Sequence, residues 1–284
     1  MANDPFTLVH LSDPHFVVLD AVHLTHMFNK RMIGWLNLRF NRAGLHKTEL
    51  TRKTFESVAG FAPDHVVITG DIGNLSLSEE YALARSMLPL LGVEPRQITV
   101  VPGNHDAYVS AAWPRGPFRD YFAEYCRSDD ERESATGDFG NLHFPMVRWL
   151  QGNGKCPVAL LGCSSARPAT PLLAWGKLGS RQLDELQRLL EKARQRGFFS
   201  VVALHHPVQP GVTRWDNGLL DRVQFRQVME KQRADLILHG HMHRPLHARL
   251  CTTGDGVDVW GTGSASLDEA RAERRAQFRV LRIG

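Results

Sequence analysis

The sequence lacks three features that would each define a class of protein. It has four cysteines among 284 residues, with no CxxC pair, which argues against a disulfide framework and against a structural zinc site made of thiolates. It has no run of the roughly 18 uncharged apolar residues that a membrane span requires. It also has no basic segment followed by an apolar one at the N-terminus, so we expect a cytoplasmic protein with buried free thiols.

The net charge of the chain is also small. Lys and Arg number 34 and Asp and Glu 30, which gives a formal net charge of +4 with His neutral. This excess is too small to make nucleic acid the expected partner. Apolar residues make up 43% of the chain and charged residues 23%, as in ordinary globular proteins, and a chain of this length can bury a large core. We predict a single domain over residues 1–284.

Short apolar runs alternate with helical patterns along most of the chain, which predicts an α/β fold. The runs end in polar or glycine-rich turns and are predicted to be buried strands, at residues 6–11, 65–69, 98–101, 158–161, 199–204 and 236–238. Helices are predicted at residues 48–61, 78–91, 180–196 and 221–231. For the third helix, Ser180 is the expected N-cap and Gly197 the expected stop. The last three predicted strands, at 248–250, 257–260 and 278–283, are expected to form a second, partly antiparallel sheet.

Polar motifs follow five of the predicted strands. They are Asp13-Pro14-His15, Gly70-Asp71-Ile72-Gly73-Asn74, Gly103-Asn104-His105-Asp106, His205-His206-Pro207 and Gly240-His241-Met242-His243. In open α/β sheets, loops at the strand ends converge on one edge, so we expect these side chains to meet. Carboxylates, a carboxamide and imidazoles are ligands that suit Mn²⁺, Fe, Zn²⁺ or Co²⁺. Each motif alone is an ordinary turn sequence, but the series of five predicts a site for two metal ions.

This series closely resembles the signature of the calcineurin-like metallophosphoesterases and extends over residues 13–243. The resemblance implies a four-layer α/β/β/α sandwich and hydrolysis of a phosphoric ester by a hydroxide shared between two divalent metal ions. Seven ligands are implied by their positions in the motifs: Asp13, His15 and His243 at one ion, Asn104, His205 and His241 at the other, and Asp71 bridging the two.

Four further histidines are interpreted from their positions. His206 could bind metal in place of its neighbour His205, although the family pattern favours His205. His105 follows a predicted ligand without occupying a ligand position, and we expect it to be the general acid that protonates the leaving group. His65 and His239 lie inside predicted strands, where a hydrogen-bonded core histidine is expected.

Asn74 is a departure from the family pattern. Many relatives have an aspartate at this position, which hydrogen-bonds the histidine equivalent to His105. We expect Asn74 to accept that hydrogen bond through its amide oxygen without supplying a negative charge. Because some related phosphodiesterases also have asparagine at this position, the departure favours a phosphodiesterase over a phosphomonoesterase.

Residues 21–48 are the most individual part of the sequence, with five basic residues and no acidic one. Apolar residues recur there at helical spacing. They are Leu24, Met27, Phe28, Met32, Trp35, Leu36 and Phe40. This amphipathic segment either packs on its own domain or forms a lid that contacts a membrane surface and gathers an anionic, amphiphilic substrate. Contact with nucleic acid is a less favoured third interpretation.

The motifs favour a metal-dependent phosphodiesterase that acts on a phosphodiester or pyrophosphate bond of a small nucleotide or lipid-linked substrate. The sequence from Gly240 to Pro245 is similar to that of bacterial cyclic-nucleotide phosphodiesterases. One alternative is a pyrophosphatase for a UDP-diacylglucosamine-type lipid, although the relatives known for that reaction have arginine where this chain has His105. Another alternative is a metal-free scaffold of the same fold, but such relatives lack ligands that are all present here.

Overall fold

A computed structural model provides the structure of the chain for residues 4–18, 46–107, 116–130, 142–152, 154–170, 173–214, 216–252, 255–269 and 275–284. Most of the amphipathic segment at residues 21–48 lies outside these described residues, which include only its last three positions. The three interpretations of that segment therefore stay predictions.

The smaller of two β-sheets has four strands in the order β10-β1-β2-β3. Strands β1 (Phe6–Leu11), β2 (His65–Thr69) and β3 (Ile98–Val101) are parallel, whereas β10 (Arg279–Ile283) is antiparallel to β1. The three parallel strands agree with the predicted apolar runs. Their carboxyl ends share one edge of the sheet, which places three of the polar motifs side by side.

The larger sheet has six strands in the order β4-β5-β6-β7-β9-β8. The four inner strands are parallel, and the two edge strands are antiparallel to their neighbours. The strands are β4 (Met146–Leu150), β5 (Val158–Gly162), β6 (Phe199–Ala203), β7 (Leu236–His239), β8 (Leu246–Leu250) and β9 (Val257–Gly261). The prediction of a separate C-terminal sheet is wrong, because β8 and β9 extend this sheet and β10 joins the smaller one.

Five α-helices are described. They are α1 (Thr48–Ala59), α2 (Ser78–Met87), α3 (Pro117–Phe122), α4 (Ser180–Gln195) and α5 (Arg222–Lys231), with 3-10 turns at Leu88–Leu91, Pro95–Gln97 and Ala123–Cys126. Gly197 follows the end of α4 with a φ of 71°, as expected of a stop. The N-cap prediction is wrong: Gly179 is the N-cap, and the Asp221 carboxylate accepts its N–H at 2.7 Å.

Apolar side chains form three clusters that separate four layers. One cluster packs α1, α2 and α3 on the smaller sheet, a second packs α4 and α5 on the larger sheet, and a third lies between the sheets. Successive residues of a strand face opposite sides, so Leu8 contributes to the cluster between the sheets and Val9 to the helix-facing cluster. The predicted α/β/β/α sandwich is confirmed.

All four cysteines are free thiols. Cys126 and Cys163 are buried, as expected, whereas Cys156 is half-buried and Cys251 is exposed. Among the described residues, no helix combines the length and the apolar character needed to cross a lipid bilayer.

Candidate metal centre

Loops after β1, β2, β3, β6 and β7 bring all seven predicted ligands together. Five of the seven adopt a left-handed backbone conformation, with φ between 44° and 68°: Asp13, His15, Asp71, His241 and His243. Non-glycine residues rarely adopt this conformation, and such residues cluster at functional sites. The left-handed residues bend both the Asp13-Pro14-His15 and the His241-Met242-His243 segments sharply.

Two glycines allow these loops to approach closely. A Cβ atom at Gly103 would lie 2.2 Å from Oδ1 of Asp71, and one at Gly240 would lie 1.8 Å from Oγ of Ser12. Any larger residue at either position would displace the loop that it faces. The glycines of the third and fifth motifs therefore have a direct steric function at this site.

One group of donor atoms, which we call the first half-site, comes from Asp13, His15, Asp71 and His243. These donor atoms all lie within 4.8 Å of one another. Nε2 of His243 lies 3.0 Å from Nε2 of His15 and 3.2 Å from Oδ1 of Asp13. Nε2 of His15 is 3.7 Å from Oδ2 of Asp71. Asp13 and His15 from the loop after β1 and His243 from the loop after β7 thus face one point together with Asp71.

A second group of donor atoms, the second half-site, lies on the other side of Asp71. Oδ1 of Asn104 is 3.0 Å from Nε2 of His205 and 3.0 Å from Nδ1 of His241. Nε2 of His205 is 3.3 Å from Oδ2 of Asp71. The Asp71 carboxylate therefore adjoins both half-sites, as a bridging ligand must.

Hydrogen bonds distinguish His205 from His206. Nδ1 of His205 donates to the carbonyl oxygen of Thr69 at 2.7 Å, so the lone pair of its neutral ring is on Nε2, which faces the second half-site. Both ring nitrogens of His206 are engaged, with Oγ of Ser165 at 2.7 Å and the carbonyl oxygen of Ala174 at 3.0 Å. These contacts favour His205 as the ligand.

Without metal, the charge at the site is on Asp13, Asp71 and His205. Burial alone would raise the pKa of Asp71, but nearby His205 and His105 hold it well below its usual range. Burial alone would lower the pKa of His205, but the Asp71 and Asp13 carboxylates outweigh it and raise the pKa to about 9, so a metal ion would have to displace the proton from Nε2. Burial lowers the pKa of His241 to about 3, so its ring is neutral and has a lone pair available for a ligand.

These donors fit two divalent cations. Oδ1 of Asp13 is buried and has no hydrogen-bond partner among the described residues, although a buried carboxylate oxygen normally requires a donor or a cation. Two imidazole nitrogens face each other at 3.0 Å beside that oxygen, an arrangement that suits a shared cation. Mixed nitrogen and oxygen donors suit borderline divalent metals.

His105 lies beside both half-sites. Its main-chain N–H donates to Oδ1 of Asp71 at 2.8 Å, and its ring centroid is 4.9 Å from that of His15. Its Nδ1 lies 2.7 Å from the main-chain carbonyl oxygen of Asn74. The expected hydrogen bond from His105 to the amide oxygen of the Asn74 side chain is therefore wrong. That side chain is buried, and its Nδ2 has no hydrogen-bond partner among the described residues.

Asp106 holds two of the ligand loops together, a function that the sequence did not indicate. Its buried carboxylate accepts main-chain N–H groups of Ile72 and Gly73 after β2, and of Gly103 after β3, at 2.9 to 3.2 Å. Tyr81 of α2 also donates to it, at 3.2 Å. The loops that carry Asp71 and His105 are thus fixed relative to each other.

Glu80 supports the loop of Asn74 in a similar way. Its Oε2 accepts the main-chain N–H groups of Asn74, Leu75 and Leu77 at 2.9 to 3.1 Å. Burial raises the pKa of this carboxyl to about 8, although the three hydrogen bonds act in the opposite direction. No sequence signal marked Glu80, because an acidic residue in the first turn of a helix is ordinary.

His46 is a further residue at the site, and no sequence motif indicates it. Its ring centroid lies 4.5 Å from that of His15 and 5.4 Å from that of His243. In the sequence it belongs to the basic segment and to none of the five motifs.

His65 and His239 confirm the expectation of core histidines. Both are buried, with Nε2 of His65 at 2.8 Å from Oγ1 of Thr99 and Nε2 of His239 at 3.1 Å from Nε2 of Gln209.

A two-sheet sandwich with a shared carboxylate between two groups of donors defines a metal-dependent hydrolase of the dinuclear type. The sequence model of the family described as Calcineurin-like phosphoesterase matches residues 6–245. The chain belongs to this family. Membership confirms the resemblance seen in the motifs and the expected class, a phosphoric ester hydrolase with a dinuclear metal centre.

The individual relatives share only a small part of their sequence with this chain. A probable glycerophosphodiester phosphodiesterase, GpdQ, of Arcobacter nitrofigilis is 25% identical over 211 residues, which cover 73% of this chain and 66% of that protein. A dimetal phosphatase from Danio rerio has a similar fold, with a TM-score of 0.67, 12% identity and coverage of 99% of this chain and 93% of that one. A purple acid phosphatase from seeds of yellow lupin (Lupinus luteus) has a TM-score of 0.54 and 12% identity, over 98% of this chain and 48% of that one.

Proposed function

We propose that the protein is a phosphodiesterase that hydrolyses a small phosphoric diester. The observation that carries the proposal is the position of Asp71, whose Oδ2 lies 3.7 Å from Nε2 of His15 in one half-site and 3.3 Å from Nε2 of His205 in the other. A carboxylate shared by two groups of donors, beside an accessible histidine, suits hydrolysis of a phosphoric ester. The relative named as a glycerophosphodiester phosphodiesterase supports a diester substrate.

The chain's own residues would hold two divalent ions of the Mn, Fe, Zn or Co type. Asp13, His15 and His243 would bind one, Asn104, His205 and His241 the other, and Asp71 both. Such ions supply Lewis-acid polarisation of the phosphoryl oxygens and a water of lowered pKa. The left-handed loops fix these side chains before substrate arrives, which limits the reorganisation needed during the reaction.

His105 would act on the leaving group. Because Nδ1 donates to a carbonyl oxygen, Nε2 is the nitrogen that exchanges a proton with the substrate. In the imidazolium form, Nε2–H donates its proton to the departing alkoxide oxygen and thereby prevents release of a strongly basic anion. The carbonyl of Asn74 fixes the orientation of the ring, so the Asn74 side chain is not needed for that contact.

Hydrolysis of two nitrophenyl esters tests the proposal. With the Mn²⁺-loaded protein, we expect kcat/KM for bis(p-nitrophenyl) phosphate to exceed that for p-nitrophenyl phosphate by about tenfold or more, which is about 1.4 kcal/mol of discrimination. A preference for the monoester would contradict the proposal, as would failure to hydrolyse either ester with both ions bound. Glycerophosphodiesters, cyclic nucleotides and UDP-linked lipids would then identify the substrate class.

The lipid-linked alternative and contact with a membrane surface depend on residues 21–45. Because these positions lie outside the described part of the chain, both ideas stay predictions, as does the cytoplasmic location.

A further inference from the structure

We infer that His46 is an additional metal ligand and binds the ion of the first half-site through its Nε2 atom. The inference rests on the proposed function, because it requires that the first half-site binds an ion. A donor nitrogen of His46 lies within 4.8 Å of donor nitrogens of His15 and His243. The three rings surround one position, with centroids 4.5 to 5.4 Å apart.

Two serine hydroxyls fix the orientation of the His46 ring. Nδ1 of His46 is 2.7 Å from Oγ of Ser266, which is 3.1 Å from Oγ of Ser264. The Ser264 hydroxyl donates to the carbonyl oxygen of Asp13 at 2.7 Å. The same two serines therefore contact the main chain of a predicted ligand and the ring of His46.

The direction of these hydrogen bonds determines which nitrogen of His46 has a lone pair. Because the Ser264 hydroxyl donates to the carbonyl of Asp13, a hydrogen bond between the two hydroxyls has Ser266 as its donor, and the same carbonyl is a second acceptor for Ser266 at 3.4 Å. In that arrangement, which we include in the proposal, Oγ of Ser266 accepts a hydrogen bond from Nδ1 of His46. In the neutral ring, the lone pair is consequently on Nε2, as in metal-binding histidines whose other nitrogen donates to a protein oxygen.

The main chain next to His46 is anchored to the same loop. His46 forms an antiparallel bridge with Leu267, and the N–H of Lys47 donates to the carbonyl oxygen of Ser266 at 3.0 Å. The side chains of Lys47 and Asp268 also form an ion pair at 2.5 Å. Helix α1 begins at the next residue, Thr48. These contacts fix the position of His46 without a bound ion, as expected of a preorganised metal ligand rather than of a surface histidine.

This assignment gives the two half-sites different sets of donors. With His46, the first half-site has three imidazoles and two carboxylates, whereas the second has two imidazoles, a carboxamide and the shared carboxylate of Asp71. Because imidazole favours the later first-row metals, we expect the first half-site to bind its ion more tightly than the second does.

Titration of the metal-free protein with Co²⁺ tests the inference through binding and visible absorption. The variants are His46→Ala, Ser266→Ala and, as matched control, His143→Ala at an exposed position. For wild type and His143→Ala, we expect two ions with the same affinities and the same spectrum. For His46→Ala, one ion should bind about 10- to 100-fold more weakly, with altered d–d absorption, and the other should be unchanged. Ser266→Ala should show a smaller loss at the same ion.

A His46→Ala protein with wild-type affinities and an unchanged Co²⁺ spectrum would overturn the inference, even if its activity fell, because His46 would then act on the substrate. A wild-type protein that binds fewer than two ions would instead contradict the proposed function. If His46→Ala does not fold, as judged by circular dichroism, then His46→Gln replaces it, and the same comparison of affinity and spectrum applies.

Discussion

Nδ1 of His105 lies 2.7 Å from the main-chain carbonyl oxygen of Asn74. Because a carbonyl oxygen only accepts hydrogen bonds, this contact fixes the tautomer of the ring and directs Nε2 to proton exchange. The acceptor belongs to the backbone, so it does not depend on which side chain occupies position 74. The asparagine at that position therefore says less about the choice between monoester and diester than the sequence pattern suggests.

Replacing His105 with Ala should slow the hydrolysis of diesters with alkyl leaving groups by about 10²- to 10⁴-fold. The loss should be much smaller for bis(p-nitrophenyl) phosphate, whose leaving group needs little protonation. Steady-state kinetics over a series of leaving groups, with metal content measured in parallel, provides the comparison. Equal losses across the series, with both ions retained, would instead make His105 a phosphate-binding residue.

Replacing Asn74 with Ala should leave the leaving-group dependence of the wild-type enzyme intact, because the carbonyl oxygen at position 74 stays in place. We expect kcat for alkyl diesters to change by less than about tenfold, well below the effect of His105→Ala. The same kinetic series measures both variants. An Asn74→Ala enzyme that matched His105→Ala would show that the amide side chain participates in proton transfer.

Glu80 should make the metal-free protein less stable as pH rises. Burial raises the pKa of this carboxyl to about 8, from an ordinary value of 4.5. The folded state therefore binds more protons than the unfolded state between these values, and the free energy of unfolding falls as pH increases through that range. Glu80→Gln should remove this contribution, which is at most about 1.4 kcal/mol per pH unit.

Urea unfolding at pH 5, 6.5 and 8 measures the effect of Glu80. The Gln variant should gain stability relative to wild type as pH rises. The free energy of unfolding of Glu80→Ala should be lower than that of the wild type by about 2 kcal/mol or more at all three pH values, since three main-chain N–H groups lose their acceptor. A constant difference between wild type and Glu80→Gln over this range would contradict the raised pKa.

His65 should make the protein sensitive to acid. Burial, with a smaller effect from Arg148, lowers the pKa of His65 to about 3. The unfolded state then binds the extra proton, so the stability due to the neutral ring is lost as pH falls from 6.5 toward 3. His65→Gln can still hydrogen-bond Thr99. As pH falls, its free energy of unfolding should decrease by up to about 1.4 kcal/mol less per pH unit than that of the wild type.

Urea unfolding curves between pH 4 and 7 measure this difference in stability between wild type and His65→Gln. The exposed His143→Gln is the matched control and should follow the wild-type profile. Parallel profiles for wild type and His65→Gln would mean that the buried ring does not govern acid stability.

Most of the fold and all seven candidate ligands could be predicted from the sequence because each signal is local. A buried parallel strand is apolar over its whole length, and the motif that follows it stands at the carboxyl edge of the sheet. Strand β4 lacks this signal: it lies at an edge and has half-buried residues such as Arg148 and Trp149. Long-range pairing determines which sheet each of the strands β8, β9 and β10 belongs to, and no local sequence pattern specifies that pairing.

The residues missed at the site are those placed by tertiary contacts. His46 reaches the first half-site through pairing with Leu267, which is more than two hundred positions later in the chain. Glu80 and Asp106 act on main-chain N–H groups, so no motif of side chains indicates them. Choosing between His205 and His206 likewise required the partners of each ring nitrogen, which spacing alone does not show.

Metal analysis of the wild-type protein and of Asp71→Asn after reconstitution with Mn²⁺ tests the shared carboxylate most directly. Because Oδ2 of Asp71 adjoins both half-sites, we predict two ions per wild-type chain and, in the variant, loss of the ion of the second half-site, weaker binding at the first and loss of nearly all activity. A wild-type chain that never exceeds about one ion, or an Asp71→Asn protein with full metal content and full rate, would contradict the dinuclear centre.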